Sequence, residues 1–275
     1  MGLARNLISD YEWTFFEGFI RAARHSNGRK PADHRLVLDG ISWITRTGAP
    51  WRDLPKEFGK WSSVYRQFRR WTLAGLWEDI LDALNHAGIA PDKLQMVDST
   101  VIRAHHHAAG AKGGLLQEAP GRSRASGGKT IHWIVFWTTF HFSTKIHLRV
   151  NGAGLPKRTE ITPGQDSDYT GYDLVMADNL PQPAVLVADR GYDSDKIRED
   201  IESRNALPMI PMRKNRRVRK AVDMTIYTLR NMVERCFNNL KNSRRLATRY
   251  DKTAESFLGF VDVACIRLWL RHLST

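Results

Sequence analysis

The sequence has 275 residues, with little cysteine and no long hydrophobic run. Its only two cysteines, Cys236 and Cys265, fall in apolar helical patterns, so we expect neither a disulfide framework nor a thiolate metal site. The longest apolar run, residues 131–142, is too short to cross a bilayer as a helix, and the first residues show no signal-peptide core. These absences favour a protein of the reducing cytoplasm with no membrane partner.

Acidic residues are also scarce relative to basic ones. The chain has 29 Asp and Glu against 42 Lys and Arg, which gives a formal net charge of +13 and a pI of about 10.0. This excess suits a polyanionic partner, nucleic acid first, although ribosomal and basic secreted proteins can share it. The hydrophobic content of 42% is enough for a real core, in one large domain or two small ones.

The first third of the chain is helical in pattern. Ser9 or Asp10 would cap a first helix, and a second helix would end near Gly48. A Pro- and Gly-rich connection, "APWRDLPKEFG", precedes a third helical stretch, which should break near Gly75.

Within that third stretch, the residues at positions 64, 68 and 71 would pack inward, while Arg66, Arg69 and Arg70 would face away together. A Ser-capped helix with an outward arginine cluster, preceded by a tight turn, suits a helix-turn-helix placed in a DNA major groove. A plain three-helix bundle fits the same pattern and stays open.

The pattern changes after residue 90. "LQMVDSTVIRA", "KIHLRVNGAG", "PKRTEITPG", "AVLVADRGYD" and "LPMIPM" are typical of strands, and "DYTGYDLVMADNL" and "SDKIREDIESRN" are typical of helices. The order β-β-β-α-β-α-β-α predicts an α/β mixed sheet with helices on its faces.

"YTLRNMVERCFNNLK" predicts one further helix with an unusual polar stripe. At about 100° per residue, Tyr227, Arg230, Glu234 and Lys241 share a stripe about 60° wide. The neighbouring side would face the core with four apolar residues, Leu229, Val233, Cys236 and Leu240. A surface helix with one internal ion pair is the plainer interpretation.

Two carboxylates lie within or at the end of apolar strands, where burial without a partner is costly. These are Asp98 and Asp189, and Glu234 lies on the half-buried stripe. Three converging carboxylates need cations, and hard oxygen ligands suit Mg²⁺. Two such ions can activate a water molecule or a 3′-hydroxyl group and stabilise the leaving oxygen of a phosphodiester. Arg230 and Lys241 are placed to hold a DNA backbone.

These residues resemble a known family. The chain resembles the DDE transposases of bacterial insertion sequences, in the group usually called IS-five, over nearly its whole length. "QMVDSTVIRAHHHAAGAKGG" resembles the motif of the first Asp and "LVADRGYDSDKIR" that of the second. Tyr227, Arg230, Glu234 and Lys241 match the final signature, and "GAPWRDLPKEFGKWSSVYRQFRRW" resembles the DNA-binding segment.

The resemblance implies an RNase H-like fold and a mechanism with two ions, Mg²⁺ or Mn²⁺, in each active site. It implies that Asp98, Asp189 and Glu234 are the catalytic, metal-binding acids, and that Arg230 and Lys241 contact DNA near the cut. The expected partners are the terminal inverted repeats and target DNA, both double-stranded, and the protein would act as a homodimer or larger oligomer in the bacterial cytoplasm, at the nucleoid.

Two further stretches, one basic and one rich in histidine, invite a functional interpretation, and only the basic one favours it. "RKNRRVRK" lies beside the last catalytic helix, and we expect it to contact phosphates rather than to form a solvated loop. Its six basic residues are Arg213, Lys214, Arg216, Arg217, Arg219 and Lys220. The histidines at 105–107 invite a zinc interpretation, but adjacent strand residues point to opposite faces, so three of them seldom ligate one ion.

One segment departs from the family. Residues 125–141, "ASGGKTIHWIVFWTTFH", stand where relatives run from a "GRSR"-like segment almost directly into "FSTKIHLRV". Their β-branched and aromatic residues favour a strand, and we expect them to be dispensable for chemistry but harmful to solubility.

The complete prediction is an N-terminal all-helical, helix-turn-helix-like DNA-binding domain (1–90) and an RNase H-like catalytic domain (91–275). Its function would be binding of the terminal inverted repeats, metal-dependent DNA cleavage and strand transfer. A nuclease of the same fold without strand transfer, and a catalytically silent DNA-binding relative of a transposase, remain as alternatives.

Overall fold

The computed structural model describes residues 8–23, 33–108, 121–123, 141–176, 179–214, 216 and 221–274. Residues 125–140 of the unusual segment therefore lie outside the described residues, and only its last residue, His141, is included, at the start of a strand. No helix in these ranges is both long enough and apolar enough to cross a membrane.

In the described part of the first third, four helices follow one another: α1 (Asp10–Ala22), α2 (His34–Thr47), α3 (Trp61–Leu73) and α4 (Leu76–His86). Ser9 caps α1 with a full capping box to Glu12. Gly48 ends α2 with φ of 68°, and Gly75 separates α3 from α4 with φ of 74°, a region that favours glycine. The predicted cap and both predicted breaks are confirmed.

Two details of the predicted helix-turn-helix are wrong. The residue before α3 is Lys60, whose side chain makes no capping hydrogen bond, and the two serines at 62 and 63 lie inside the first turn. The connection between α2 and α3 is not a tight turn, because it contains two short 3₁₀ turns, Trp51–Asp53 and Lys56–Phe58. Pro50 and Pro55 precede these turns and fix the chain in extended conformation there.

The described strands form one mixed sheet of six strands: β1 (Leu94–Arg103), β2 (Gly121–Ser123), β3 (His141–Asn151), β4 (Pro156–Pro163), β5 (Val185–Ala188) and β6 (Leu207–Met209). β1, β3 and β4 pair antiparallel, while β5 and β6 continue the sheet parallel to β1. The short β2 pairs with the start of β3. A three-stranded antiparallel meander followed by two parallel strands is the expected RNase H-like arrangement.

Helices cover both faces of this sheet. α5 (Asp168–Val175) and α6 (Asp195–Ser203) follow β4 and β5, and the C-terminal helices are α7 (Met224–Thr228), α8 (Asn231–Lys241), α9 (Arg244–Ala247) and α10 (Ala254–Leu273). One apolar core joins α8, α10 and the N-terminal helices to the sheet, and a second lies under α5 and α6. Phe68 of α3 stacks on Phe260 of α10 with 4.4 Å between ring centroids, so the N-terminal helices pack directly on the C-terminal helix.

The prediction of one continuous helix from Tyr227 to Lys241 is wrong. The chain turns at Leu229 and Arg230, between α7 and α8. Leu229 is 43% exposed instead of facing the core, whereas Val233, Cys236 and Leu240 are buried as predicted. Both cysteines are buried and unpaired, and burial raises the pKa of the Cys236 thiol to about 12.

Candidate active site

Asp98, in the middle of β1, lies beside Asp189, which directly follows the end of β5. Val97 of β1 is paired with Ala188, the last residue of β5, so Asp98 and Asp189 are the next residues along the two strands. Because the parallel strands run in register, the two side chains lie next to each other at the carboxyl end of β5. The carboxyl ends of parallel strands are where sites form in open α/β sheets.

Hydrogen bonds fix both carboxylates. Asp98 Oδ1 accepts from the backbone N–H of Ser99 at 2.8 Å, and Asp189 Oδ1 accepts from the backbone N–H of Gly191 at 2.7 Å. Burial raises the pKa of Asp98 to about 6, and the charges of Asp189 and Asp168 act in the same direction. The Ser99 N–H and the guanidinium of Arg230 offset part of that rise.

Arg230 joins Asp98 to Glu234. Its Nη1 donates to Asp98 Oδ2 at 2.8 Å, and its Nη2 donates to Glu234 Oε1 at 2.5 Å. Tyr227 lies under the guanidinium, with 5.9 Å from Cζ to the ring centroid. The turn that breaks the predicted helix puts Arg230 at the start of α8, where it reaches across to β1.

Lys241, at the far end of α8, also reaches β1. Its Nζ donates to Thr100 Oγ1 at 2.8 Å, and Thr100 lies two residues after Asp98 on the same strand. Side chains two apart on a strand share a face, so Lys241 and Arg230 approach the same face from the two ends of α8. All four residues of the sequence signature therefore collect along one side of β1.

The carboxylates of Asp98, Asp189 and Glu234 are suitable donors for a divalent cation, but their side chains do not surround one common point. Within the described ranges, no three carboxylate, histidine or cysteine side chains stand as a group that could hold one metal ion. Arg230 currently supplies the positive charge between Asp98 and Glu234. The carboxylate oxygens are nevertheless the hard donors that Mg²⁺ and Mn²⁺ prefer.

Tyr192 supplies a second observation on this point. Its side chain is fully buried, and its hydroxyl lies near Ser99 without a well-formed hydrogen bond. Burial raises the pKa of Tyr192, and the charges of Asp168, Asp98 and Asp189 raise it further, which puts the hydroxyl beside all three acids. A buried polar group without a partner is costly, so the Tyr192 hydroxyl has hydrogen-bonding capacity left beside the acids.

Asp168 is the acid that the sequence interpretation missed. Its Oδ1 accepts from Ser99 Oγ at 2.5 Å and from Lys145 Nζ at 2.8 Å. A Cβ added at Gly191 would stand 2.8 Å from Asp189 Oδ1 and 2.9 Å from Asp168 Oδ2, so both carboxylates crowd the same glycine. Asp168 is the first residue of α5, and acidic residues are common at that position because they stabilise the start of a helix. Only the path from β4 to α5 brings it to the site.

The α3 arginines do not share one exposed face. Arg66 and Arg70 are exposed, but Arg69 is half-buried and donates to Thr253 Oγ1 and Ser256 Oγ at the start of α10. The expectation that all three face away together is therefore wrong for Arg69. The reason is that α3 packs against α10, which the sequence pattern of α3 alone does not reveal.

The basic stretch at 213–220 is described only in part. Arg213, Lys214 and Arg216 belong to the described residues, whereas Arg217, Arg219 and Lys220 lie outside them. Arg216 forms ion pairs with Asp193 and Asp195, and the Arg213 backbone N–H donates to Asp193 at 2.7 Å. These ion pairs would compete with any phosphate contact from Arg216.

The prediction that the histidines at 105–107 lie on one strand is wrong. β1 ends at Arg103, and a 3₁₀ turn covers His106–Ala108. The rings of His105 and His107 contact each other edge to face at 4.6 Å between centroids, and the His105 ring also contacts Tyr250.

Comparison with known families and proteins agrees with this geometry. Residues 90–269 match the family described as "Transposase DDE domain", and residues 8–81 match the one described as "Putative transposase of IS4/5 family". The "Putative transposase for insertion sequence element IS6501" of Brucella ovis is 36% identical over 130 residues, which are 47% of this chain and 99% of that protein. The "Uncharacterized protein y4sN" of Sinorhizobium fredii is 36% identical over 115 residues, 41% of this chain and 90% of its own.

Among solved structures, a piggyBac transposase synaptic complex with hairpin DNA aligns with a TM-score of 0.39 and 11% identity. The alignment covers 95% of this chain and 65% of the piggyBac chain.

Proposed function

The chain belongs to the family of DDE-domain transposases, and from that premise we propose that it binds the terminal inverted repeats of a bacterial insertion sequence, cuts the DNA there and joins it to a target. The observation that carries the proposal is the juxtaposition of Asp98, in the middle of β1, and Asp189, directly after β5, with Glu234 tied to Asp98 through Arg230. This is an acidic site at the carboxyl end of β5, bordered by basic residues of α8.

Asp98, Asp189 and Glu234 would hold Mg²⁺ or Mn²⁺, two ions in each site. When bound, these ions supply activation of a water or 3′-hydroxyl nucleophile and stabilisation of the leaving oxygen. Ser99 and Gly191 keep the Asp98 and Asp189 carboxylates aimed by backbone N–H groups. Arg230 must release Glu234 before that carboxylate can act as a ligand, and it is then free to pair with a DNA phosphate.

Asp168 acts as a positioning residue in this proposal. Ser99 links it to Asp98, because the Ser99 N–H donates to Asp98 while the Ser99 hydroxyl donates to Asp168. Lys145 donates to the same Asp168 oxygen, Oδ1, and also to the Asp166 backbone oxygen. Asp168 thus fixes the middle of β1 and adds negative charge near Asp189.

DNA contacts are assigned in two groups. Tyr227, Arg230 and Lys241 lie beside the acids and would contact the strand being cut. Arg66 and Arg70 of α3 are exposed and would contact the inverted repeat, together with basic residues of the 213–217 stretch, namely Arg213, Lys214, Arg216 and Arg217. Arg69 would support them by fixing α3 on α10.

The remaining parts of the proposal concern organisation. The N-terminal residues to about 90 would recognise DNA ends, and residues 91–275 would carry out the chemistry, although both share one apolar core. Holding two element ends together requires at least a homodimer on DNA. A protein acting on chromosomal DNA would work in the bacterial cytoplasm, at the nucleoid.

A cleavage and joining assay tests this function and separates it from a nuclease of the same fold. Purified protein is incubated with DNA carrying the element's terminal repeats, a target plasmid and Mg²⁺, and every new end is sequenced. We expect cuts at the repeat termini and covalent joining to the plasmid. Cuts without joining would favour the nuclease, and binding without cuts would favour a silent DNA-binding protein.

A further inference from the structure

A cavity of about 450 Å³ lies on another side of the molecule, where α2, the α8–α9 junction and α10 meet. Among the residues that the structure describes, four arginines line it: Arg46, Arg244, Arg267 and Arg271. None of its described lining residues is a carboxylate, and its other polar walls are serine, threonine and asparagine side chains. Its volume is within the range of small-ligand sites, roughly 300–1,000 Å³.

Arg267 is the informative member of this group. It is half-buried and makes no hydrogen bond or ion pair with any residue that the structure describes. Burial lowers the pKa of Arg267, and the charges of Arg271 and Arg46 lower it further, which Glu12 and Asp39 offset only in part. A buried guanidinium without a carboxylate is costly unless an anion completes its hydrogen bonds.

Helix dipoles do not explain this arrangement fully. Arg46 and Arg271 lie in the last turns of α2 and α10, where the negative end of a helix favours cations. Arg267 lies earlier in α10, away from that end, and gains little from it. The unpaired Arg267 therefore gains little compensation from the helix end of α10.

The cavity lies at the opposite end of α8 from Glu234, which favours a DNA phosphate as the anion that binds there. Asn239, Leu240 and Asn242 of the α8 end form one wall, and Glu234 lies in the first turn of the same helix. Eight residues of helix separate Glu234 from Asn242, about 12 Å along the axis. That length corresponds to about three to four phosphates along one DNA strand at 3.4 Å each. Asn242 lies about 80° around the helix from Glu234, on an adjoining face.

We propose that this cavity is a phosphate site for the DNA backbone, in which Arg267 and its neighbours grip a phosphodiester a few nucleotides from the cut. The proposal rests on the proposed function in taking DNA as the ligand. A guanidinium donates two parallel hydrogen bonds to a phosphate, so Arg267 would gain the partner that it lacks in the free protein. Because α2 forms one wall, the same phosphate would tie the N-terminal helices to α8.

The test measures the salt dependence of binding to a 40-base-pair DNA duplex by the full chain, without Mg²⁺ so that no cutting intervenes. Arg267→Gln should reduce the slope of log affinity against log salt by about 0.9, the value for one lost phosphate contact. The paired variant Arg46→Gln with Arg271→Gln, on exposed residues, should reduce the slope by a similar amount, because these arginines contact the same phosphate, and it guards against misfolding of the first variant. Arg267→Lys should retain most of the slope.

Arg21→Gln is the matched control, because Arg21 is exposed on α1, forms an ion pair with Glu17 in the same helix, and carries the same charge. Its slope should stay close to that of the unmodified protein. A second arm adds pyrophosphate and follows the melting temperature, to separate DNA from a free phosphate ligand. Stabilisation by pyrophosphate with an unchanged DNA slope in the Arg267→Gln variant would overturn the DNA assignment.

An unchanged DNA slope in both the Arg267 variant and the paired variant would overturn the proposal, even if the unmodified protein cuts and joins DNA. Conversely, a reduced slope would support the site even if the cutting assay failed. Failure of this inference and failure of the proposed function are therefore separate results.

Discussion

Arg230 forms a 2.8 Å ion pair with Asp98, a residue 132 positions earlier in the chain. The contact joins the start of α8 to the middle of the central strand and, through the second half of the guanidinium, to Glu234. Burial and the neighbouring acids raise the pKa of Asp98, and Arg230 opposes that rise. Arg230 is therefore an internal counter-ion at the position where a cation is expected.

Replacing that counter-ion should strengthen metal binding and weaken catalysis. In Arg230→Gln, Asp98 and Glu234 lose their shared cation, so Mn²⁺ should bind about tenfold more tightly, or about 1.4 kcal/mol. Cleavage should fall because Arg230 no longer contacts the DNA strand. Titration calorimetry with Mn²⁺ measures the first effect, with Arg230→Lys as the control that keeps the charge. Weaker Mn²⁺ binding in the glutamine variant would show that Arg230 does not compete with the metal.

The pH dependence of cleavage should report the environment of Asp98. Burial raises the pKa of Asp98 to about 6 in the metal-free protein, so protons compete with the cation for this carboxylate and the cleavage rate at limiting Mg²⁺ should fall as the pH drops. Asp168→Asn removes a charge that raises the pKa of Asp98, and this should move the acidic limb to lower pH. Rate profiles between pH 5 and 8 measure the shift. An unmoved limb in a folded Asp168→Asn variant would leave Asp168 with a purely structural role.

The arginines of α3 should separate into two classes. Arg66→Ala with Arg70→Ala should weaken DNA binding and lower the salt slope by about 2, since each lost phosphate contact is worth about 0.9. Arg69→Ala should instead lower the melting temperature, because Arg69 donates two hydrogen bonds to α10. Gel-shift titrations and thermal melts on the same preparations compare them. The assignment fails if Arg69→Ala alone reproduces the loss of slope.

Stability should fall with rising pH because of one buried acid. Asp262 of α10 accepts a hydrogen bond from Thr159 of β4, and burial raises its pKa to about 7. The charges of Glu160 and Glu78 raise it as well, and Arg158 lowers it. Since the folded state holds this proton more tightly than the unfolded chain, its contribution is complete below about pH 4 and is lost as the pH rises to 7. The upper value of that loss is about 4 kcal/mol.

Asp262→Asn should therefore flatten the stability profile, leaving the variant more stable than the unmodified protein at pH 8 but not at pH 5. Urea unfolding at both values provides the measurement. Parallel profiles for the two proteins would assign the pH dependence to other groups.

Much of the fold was accessible from the sequence because its signals are local. The β-rich runs of β1 and β3, the cap at Ser9 and the glycine at 75 each report on their own neighbourhood. The break at Leu229 and Arg230 was not accessible, because leucine and arginine are good helix formers and no glycine or proline marks the turn. Tertiary contact between Arg230 and Asp98 accompanies it instead.

The residues of the candidate site also fall into those that local sequence predicts and those that only tertiary contacts reveal. Asp98 and Asp189 were predicted because an acid in an apolar strand is conspicuous. Asp168 was missed because an acid at the start of a helix is ordinary, and only the sheet topology brings it to Ser99 and Lys145. Arg69 was misassigned for a related reason, since its partners lie 184 and 187 residues away.

The central claim is that Asp98, Asp189 and Glu234 form one metal-dependent cleavage site, and single isosteric variants test it most directly. Asp98→Asn, Asp189→Asn and Glu234→Gln are each assayed for cleavage of end-bearing DNA in Mg²⁺ and for binding of the same DNA in a gel shift. All three variants should lose cleavage while their DNA binding stays nearly unchanged. Full cutting by any one of the three would contradict the claim.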